Sequence, residues 1–208
     1  MPLTEDVVVR RKVSVRAQAT EERRRQILTA AADAFASTGY NATSLRDIAG
    51  RAGLSHTGLL HHFPDKPGLL EAVLDDQIER AAEAFPLESR DGEAFLRALV
   101  GIAERDIGQP AEVRLFAMLS AEALTPGHPA HGYMARWYDR VRVRLTEAFS
   151  DLDRRGLYKG RPLSPEQAAI HVSAMRDGVT LQWLLAPDEV DLVAAVRSQI
   201  ALYADIPL

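Results

Sequence analysis

The 208-residue sequence predicts an all-α protein, and three observations favour this fold class. Apolar residues recur at helical spacing in almost every long segment. Runs in which apolar and polar residues alternate, as they do in strands, are scarce. Proline and glycine clusters divide the chain beyond residue 90 into about five segments of helical length, which is the pattern of helical bundles. We therefore expect a small N-terminal helical domain followed by a larger one.

Composition narrows the class of protein. Hydrophobic residues make up 47% of the chain and charged residues 26%, the usual balance of a globular protein that buries its own core. The absence of cysteine excludes disulfide frameworks, zinc ribbons and thiol nucleophiles. Because we find no targeting signal and no apolar stretch of about 18 residues, we expect a cytoplasmic protein that does not enter a membrane.

Charge is unevenly distributed along the chain. Residues 1–66 contain ten Lys or Arg and seven Asp or Glu, whereas the remainder contains fifteen and twenty-two. The first part is therefore basic and the rest acidic, a distribution typical of a nucleic-acid-binding end joined to a domain with another role. Chance scatter is the alternative that these numbers leave open.

The N-terminal segment begins with an arm and a helix. Residues 1–18 hold several arginines without apolar periodicity, so we predict a flexible basic arm that could enter a minor groove. Thr20 can cap a first helix, and Gly39 can end it. Four apolar residues at helical spacing give this helix one buried face: Ile27, Ala31, Ala34 and Phe35.

Two short helices are predicted within residues 43–63. Ser44 and Ser55 are suitable N-caps for them, Ser44 with Asp47 in a capping-box pattern, and Gly53 suits the turn between them. Helices this short are stable only when they dock on the helices before and after them. The pair is a helix-turn-helix, whose second helix can enter a DNA major groove with its N-terminal end toward the bases.

About 45 consecutive residues carry a pattern formed by Arg25-Gln26-Ile27-Leu28-Thr29-Ala30-Ala31, Phe35, Gly39-Tyr40, Thr43-Ser44, Asp47-Ile48-Ala49, Ala52-Gly53-Leu54-Ser55, His62-Phe63, Lys66 and Leu69-Leu70. With this spacing the sequence resembles the TetR (tetracycline-repressor-like) family. The resemblance implies a three-helix DNA-binding domain over residues 19–65 and a helical regulatory and dimerisation domain over residues 66–208. It also implies a repressor that a small-molecule effector releases from operator DNA. One departure is Leu60, where the family commonly has a tyrosine that touches a phosphate.

The resemblance and the chemistry of helix ends predict the residues that contact DNA. Helix N-termini present unpaired N–H groups, so both cap serines can lie beside phosphates. His56 and Thr57 can reach base edges, and Lys66 can meet a phosphate. The alternatives are that the two serines only cap their helices and that His56 and Thr57 belong to an ordinary solvated surface. The full set of expected contacts is Thr43, Ser44, Arg46, Ser55, His56, Thr57, His61 and Lys66.

The last two helices are apolar on two faces. Ser164-Pro165-Glu166-Gln167 can begin the first of them, and Asp188 can cap the second. Because a helix with two apolar faces must bury both, we expect a homodimer through these helices. A thick core within one chain is the alternative. The stripes are Val172, Met175 and Val179; Ile170, Ala174, Leu181 and Leu184; Val190, Val193 and Ile200; and Leu192, Val196 and Tyr203.

An effector site is expected in the same helical domain. A mostly apolar cavity with few polar groups is the usual form of such a site, and Arg176 or Gln182 could orient the ligand. Aromatic and Met residues at helical spacing are also typical of an ordinary core. The expected lining is Phe116, Met118, Trp137, Tyr138, Met175 and Trp183.

Motifs of catalysis and metal binding are missing from the sequence. It contains no Gly-x-Ser-x-Gly, no glycine-rich phosphate loop and no His-Glu-x-x-His. His61 and His62 are adjacent, so on a helix they point to different sides and cannot easily share one ion. We therefore expect neither an enzyme nor a cofactor or metal. The alternative function is a helical protein-interaction regulator whose helix-turn-helix no longer reads DNA.

Overall fold

The computed structural model describes the backbone of residues 4–84 and 89–208, with side chains from residue 18 onward outside residues 81–88. Regular structure in these ranges is helical, as the sequence predicts. No helix in these ranges is both long and apolar enough to cross a membrane. The helices are α1 (Thr4–Ala42), α2 (Leu45–Arg51), α3 (His56–His62), α4 (Lys66–Ala84), α5 (Gly92–Ile107), α6 (Pro110–Glu122), α7 (His131–Arg154), α8 (Pro165–Leu185) and α9 (Leu192–Ala201).

The chain divides into two compact units, and the division falls inside α4, between Val73 and Leu74. The family resemblance implies an earlier boundary, between residues 65 and 66. The difference arises because Leu69, Leu70 and Val73 are all buried. The first two turns of α4 therefore complete the N-terminal unit, and the helix continues into the C-terminal unit.

The start of α1 differs from the sequence prediction. We expected a flexible arm over residues 1–18 and a helix start at Thr20, but α1 already begins at Thr4. Residues 4–18 contain neither proline nor glycine, so nothing in them interrupts a helix. The arginine side chains that we expected in the arm lie outside the described side chains.

α1 supplies one face of the N-terminal core. Ile27 and Phe35 are both 0% exposed on the face that the sequence predicted. Helical geometry is interrupted at Gly39, where φ is 79°, a value that glycine adopts without strain. The predicted end of the first helix is thus present as a break, three residues before the last helical residue, Ala42.

α2 and α3 form the predicted helix-turn-helix. The turn between them passes through Gly53, whose φ of 67° again suits glycine. Ile48 of α2 and Leu59 of α3 are fully buried, and they dock these two short helices on the core of the unit. Ala49, which is 1% exposed, is small enough to let the two helices approach each other.

The C-terminal unit packs α5, α7, α8 and α9 around one core that contains Phe149 and Trp183. α5 and α7 approach each other closely at Gly92, where a Cβ would collide with the carbonyl oxygen of Ala148. From residue 92 onward the described chain contains five helices, the number that the proline and glycine spacing predicts.

α9 differs from its sequence prediction in two respects. Its N-cap is Asp191, whose carboxylate accepts a hydrogen bond from the N–H of the third helical residue at 2.8 Å, rather than Asp188. Val196 and Ile200 were assigned to two different faces, yet both are buried in the same core because residues four apart share a face. The solvent side of α9 carries small and polar residues, and the exposed Leu202 follows the helix as its C-cap.

Candidate nucleic-acid interface and regulatory site

Six of the eight predicted DNA contacts have exposed side chains. His56 and Thr57 are the first two residues of α3, and within the described chain neither side chain has a hydrogen-bond partner. Both are therefore free to reach base edges. The six exposed residues are Ser44, Arg46, Ser55, His56, Thr57 and His61.

Ser44 and Asp47 form the predicted capping box at the start of α2. The Ser44 hydroxyl accepts the N–H of Asp47 at 3.1 Å, and the Asp47 carboxylate accepts the N–H of Ser44 at 3.3 Å and its hydroxyl at 2.6 Å. These hydrogen bonds, more than the charges of Arg51 and Arg46, lower the pKa of Asp47. The first-turn N–H groups that the box does not use remain available to an anion.

Ser55 caps α3 in the same way. Its hydroxyl accepts the N–H of Gly58 at 3.0 Å, so the start of the recognition helix is well defined. Leu60 is half-buried, and an apolar side chain cannot donate a hydrogen bond to a phosphate. His61, the next residue along this helix, is polar and exposed.

Thr43, which was also predicted to contact DNA, is buried. Its residue is 4% exposed, and its hydroxyl lies 2.7 Å from the carbonyl oxygen of Gly39 and 2.8 Å from the hydroxyl of Thr38. These hydrogen bonds fasten the chain to the end of α1. The hydroxyl of Thr43 is therefore a structural group, unlike the exposed hydroxyl of Thr57.

Lys66 also faces the protein. Its ammonium donates to the carbonyl oxygens of Tyr40 at 2.8 Å and Thr43 at 2.7 Å. The same nitrogen lies 4.2 Å from the centre of the Tyr40 ring, which adds a cation–π contact. The structure thus places this lysine on the junction between α1 and α2, a position that no local sequence pattern indicates.

Three of the predicted effector-contacting residues lie together on α6 and α7. The rings of Phe116 and Trp137 meet edge to face with centroids 5.7 Å apart, and Tyr138 follows on α7. All three are half-buried, so part of each surface can meet a ligand. The Tyr138 hydroxyl interacts with Ser120 and Asp177, and neither of these two residues belongs to the predicted lining.

Burial changes the acidity of both Tyr138 and Asp177. Burial raises the pKa of Tyr138. Burial also raises the pKa of Asp177, outweighing its hydrogen bond with Tyr138 and the charge of Arg176, although Asp177 retains accessible surface. A partly desolvated carboxyl beside aromatic rings can orient a ligand. The sequence signal that could have pointed to Asp177 is an acidic residue within the largely apolar helix α8.

The other three predicted lining residues lie elsewhere. Met118 is two positions from Phe116 on α6, so their side chains point about 200° apart. Trp183 is 5% exposed and belongs to the core. Met175 and Gln182 line a groove between α8 and α9. Helical spacing alone could not separate these locations, because it does not say which neighbour covers each face.

Arg176, one of the predicted ligand-orienting residues, is held by an ion pair. Its guanidinium lies 2.5 Å from the carboxylate of Asp106, which is 7% exposed. Burial, the largest cause, raises the pKa of Asp106 together with the charge of Glu112, against the lowering effect of Arg176 and Arg105. Further ion pairs join Arg105 to Glu112 at 2.9 Å and Glu112 to Arg80 at 2.7 Å. Together these ion pairs connect α8, α5, α6 and α4.

The histidines are dispersed over the described part of the chain. His61 is exposed on α3, whereas the Nδ1 atom of His131 lies 2.9 Å from the carbonyl oxygen of Ala123. In the part of the chain that the structure describes, no three His, Asp or Glu are grouped so that they could hold one ion.

An open groove of about 470 Å³ lies between α8 and α9. Next to it α8 exposes large apolar side chains: Ile170 and Leu181 are each 52% exposed, and Leu185 is 86% exposed. Apolar residues exposed along one face of a helix are typical of a surface that another helix covers. The groove is lined by Met175, Gly178, Val179, Gln182, Ala195, Ser198, Gln199 and Leu202.

An exposed helix-turn-helix followed by a separate helical unit defines a DNA-binding regulator of the helix-turn-helix class. The sequence profile of the tetR family of bacterial regulatory proteins matches residues 27–73, and that of the C-terminal domain of BetI-type transcriptional repressors matches residues 92–204. The chain belongs to the TetR family, as the resemblance indicated, and it is a DNA-binding transcriptional regulator.

Relatives resemble the chain over most of its length. TtgR, a helix-turn-helix regulator of Pseudomonas putida, is 30% identical over 198 residues, which cover 85% of this chain and 87% of TtgR. BetI of Cronobacter sakazakii is 30% identical over 192 residues, which cover 86% of this chain and 91% of BetI.

A solved structure shows the same fold. The complex of SmeT with triclosan superposes with a TM-score of 0.73 at 19% identity, covering 88% of this chain and 92% of SmeT. SmeT is the repressor of a multidrug efflux pump of Stenotrophomonas maltophilia.

Proposed function

We propose that this chain is a homodimeric repressor that binds an inverted-repeat operator through two helix-turn-helix motifs and is released by a small, largely apolar molecule. The observation that supports this proposal most strongly is the exposed start of α3, where His56 and Thr57 follow the cap residue Ser55. Such a helix end offers N–H groups to phosphates and side chains to base edges. A cytoplasmic location goes with this function.

Five of the six exposed residues divide into two roles. Ser44, Arg46 and Ser55 lie at helix starts, so we assign them to phosphates, which fix the orientation of the protein on DNA. His56 and Thr57 are assigned to bases, which specify the sequence. The basic balance of residues 1–66 supports the assignment, because it favours the approach of a polyanion.

Selection of genomic DNA fragments by the purified protein tests this function. We expect an inverted repeat whose half-site centres lie about 34 Å apart, or a multiple of that distance. Thr57→Ala should relax the base preference at one position of each half-site. Thr29→Ala, at an exposed position of α1, is the matched control and should recover the wild-type sequence. Failure of the wild-type protein to enrich any sequence would favour a protein-interaction role instead.

A second copy of the chain is the proposed occupant of the exposed face of α8 and the groove beside α9. The face is apolar, with Leu181 and Leu185 exposed, and Gly178 leaves space for close approach of a helix. Two-fold symmetry places the same face of the partner against it. A dimer would also present two recognition helices to one operator.

The effector site is proposed at the junction of α6, α7 and α8, around Phe116, Trp137 and Tyr138. The aromatic rings favour a flat apolar molecule, and the Tyr138–Asp177 pair offers polar groups to orient it. Triclosan, which is bound by SmeT, is a suitable first probe.

Quenching of tryptophan fluorescence measures binding of this probe. We expect Phe116→Ala to weaken triclosan binding by roughly tenfold, because it removes one of the two aromatic rings that meet edge to face. Met118→Ala, on the opposite side of α6, should leave the affinity unchanged. Equal losses in the two variants would place the site elsewhere.

A further inference from the structure

Lys66 makes an unusually complete set of contacts for a lysine near a DNA-binding surface. An ammonium group has three N–H donors and no acceptor. Its nitrogen lies 2.7 Å from the carbonyl oxygen of Thr43, 2.8 Å from that of Tyr40 and 3.5 Å from that of Asn41. With the Tyr40 ring also 4.2 Å away, the charge is surrounded by protein groups. A phosphate oxygen would have to displace one of them.

These contacts converge on the peptide group that precedes α2. The carbonyl oxygen of Thr43 and the N–H of Ser44 belong to the same planar peptide unit. Lys66 binds its oxygen at 2.7 Å, and Asp47 accepts its N–H at 3.3 Å. The orientation of this unit is therefore held from both sides.

The orientation of that peptide unit decides where α2 begins. Ser44 is the N-cap, with extended backbone angles of φ −104° and ψ 152°, and the helical N–H groups follow it directly. The buried hydroxyl of Thr43 fastens the other side of the junction to Gly39. Since α1 loses helical geometry at Gly39, side-chain contacts have to define the path of the chain here.

We propose that Lys66 is a positioning residue for DNA binding: it orients the α1–α2 junction from which the helix-turn-helix begins, without contacting DNA itself. The inference deepens the proposed function, because it uses the same reading surface. It replaces the sequence-based expectation that Lys66 meets a phosphate.

The dependence of DNA affinity on salt separates positioning from direct contact. Each phosphate that a cationic side chain neutralises adds about −0.9 to the slope of log affinity against log salt concentration. We expect Lys66→Met to weaken binding of duplex DNA by roughly tenfold at low salt while leaving the slope unchanged. A slope that becomes less steep by about 0.9 would show a direct phosphate contact and overturn the proposal.

Lys66→Arg provides the second variant, because it retains the charge and should fold even if Lys66→Met does not. A planar guanidinium cannot direct its donors at the carbonyl oxygens of Tyr40, Asn41 and Thr43 as an ammonium does. We therefore expect weaker DNA binding, together with faster hydrogen exchange at the Asp47 amide. Wild-type affinity and exchange in Lys66→Arg would contradict positioning.

Two further results keep this inference distinct from the proposed function. Unchanged affinity of Lys66→Met, measured well below its melting temperature, would reduce Lys66 to a purely stabilising role and overturn the proposal. A wild-type protein that binds no duplex DNA would instead contradict the function and the inference together. Arg46→Met is the comparison for a direct contact, since its exposed guanidinium should contribute to the slope.

Discussion

Two threonines of the N-terminal unit show how burial decides what a side chain does. Thr43 lies in the linker between α1 and α2, and Thr57 lies in the first turn of α3; both were predicted to contact DNA. Thr43 is 4% exposed and donates its hydroxyl to a backbone carbonyl, whereas Thr57 is exposed. An unmade hydrogen bond costs much more in the first setting than in the second.

Replacement by valine, which has the same shape without the hydroxyl, separates these roles. We expect Thr43→Val to lower the free energy of unfolding by about 1–3 kcal/mol, because the carbonyl oxygen of Gly39 loses a buried partner. Thr57→Val should leave stability within about 0.5 kcal/mol of wild type. Chemical denaturation measures both values. Equal stability of the two variants would contradict the structural role of Thr43.

The capping box at the start of α2 yields a prediction about acidity. Hydrogen bonds from Ser44 are the largest cause of the lowered pKa of Asp47, so Ser44→Ala should raise that pKa toward its ordinary value. A lowered pKa means that the stabilising contribution of Asp47 is complete above the ordinary pKa and disappears as pH falls through the lowered one. Titration of the carboxyl carbon by NMR measures the shift. Ser55→Ala, at the other cap, is the control and should not move it.

At the scale of elements, α8 and α9 contribute differently to the surface. Val196 of α9 is 2% exposed, so its stripe is inside the unit, whereas Leu181 of α8 is 52% exposed. The double apolar face predicted from the sequence is therefore present on α8 and absent from α9. This assignment decides which substitutions test the dimer.

Leu181→Glu should weaken dimerisation by at least roughly a hundredfold, because symmetry buries an unpaired carboxylate twice. Val143→Glu is the matched control: Val143 is 48% exposed on α7, outside the exposed face of α8 and the groove lining, and the variant should stay dimeric. Val196→Glu should instead destabilise the unit itself. Sedimentation velocity at micromolar concentration distinguishes these results, and a dimeric Leu181→Glu would exclude this face.

At the scale of the whole molecule, α4 belongs to both compact units. Lys66 fastens its first residues to the N-terminal unit, and Arg80 pairs with Glu112 of α6 in the C-terminal unit at 2.7 Å. Glu112 also pairs with Arg105, which leads to Asp106 and α8. A ligand that shifts α6 relative to α8 would change the contacts that hold α4, and two-site coupling requires such differential contacts.

Glu112→Gln removes both ion pairs of this carboxylate and is expected to reduce the effect of an effector on operator affinity. Coupling of about 1–3 kcal/mol is typical of such switches, and it must be reciprocal. The operator should weaken effector binding by the same factor that effector weakens operator binding, and calorimetry measures both. Glu147→Gln is the control, because Glu147 pairs with Arg144 on the same helix. Equal effector affinity with and without operator in the wild type would exclude an effector role for that ligand.

The elements of the DNA-binding unit could be predicted because their signals are local. Ser44 with Asp47, Ser55 and Gly53 define helix ends through contacts within a few residues, and each was found where the sequence indicated. The exposure of His56 and Thr57 followed from their place in the first turn of a docked helix. The start of α1 was mistaken because basic residues without periodicity can still form a helix when no breaker is present.

The sequence by itself determined the all-α class, the helix-turn-helix and the TetR family, since helix periodicity and capping depend on neighbouring residues. Only the tertiary structure decided the role of each side chain that acts over a distance. Lys66 meets a carbonyl 26 residues away, and Tyr138 meets Asp177 on another helix. Met118 and Trp183 are residue types that commonly line ligand sites, yet the packing of the helices places both away from the proposed effector site. Burial and long-range hydrogen bonds depend on which helices become neighbours, and helical spacing along one segment carries no information about that.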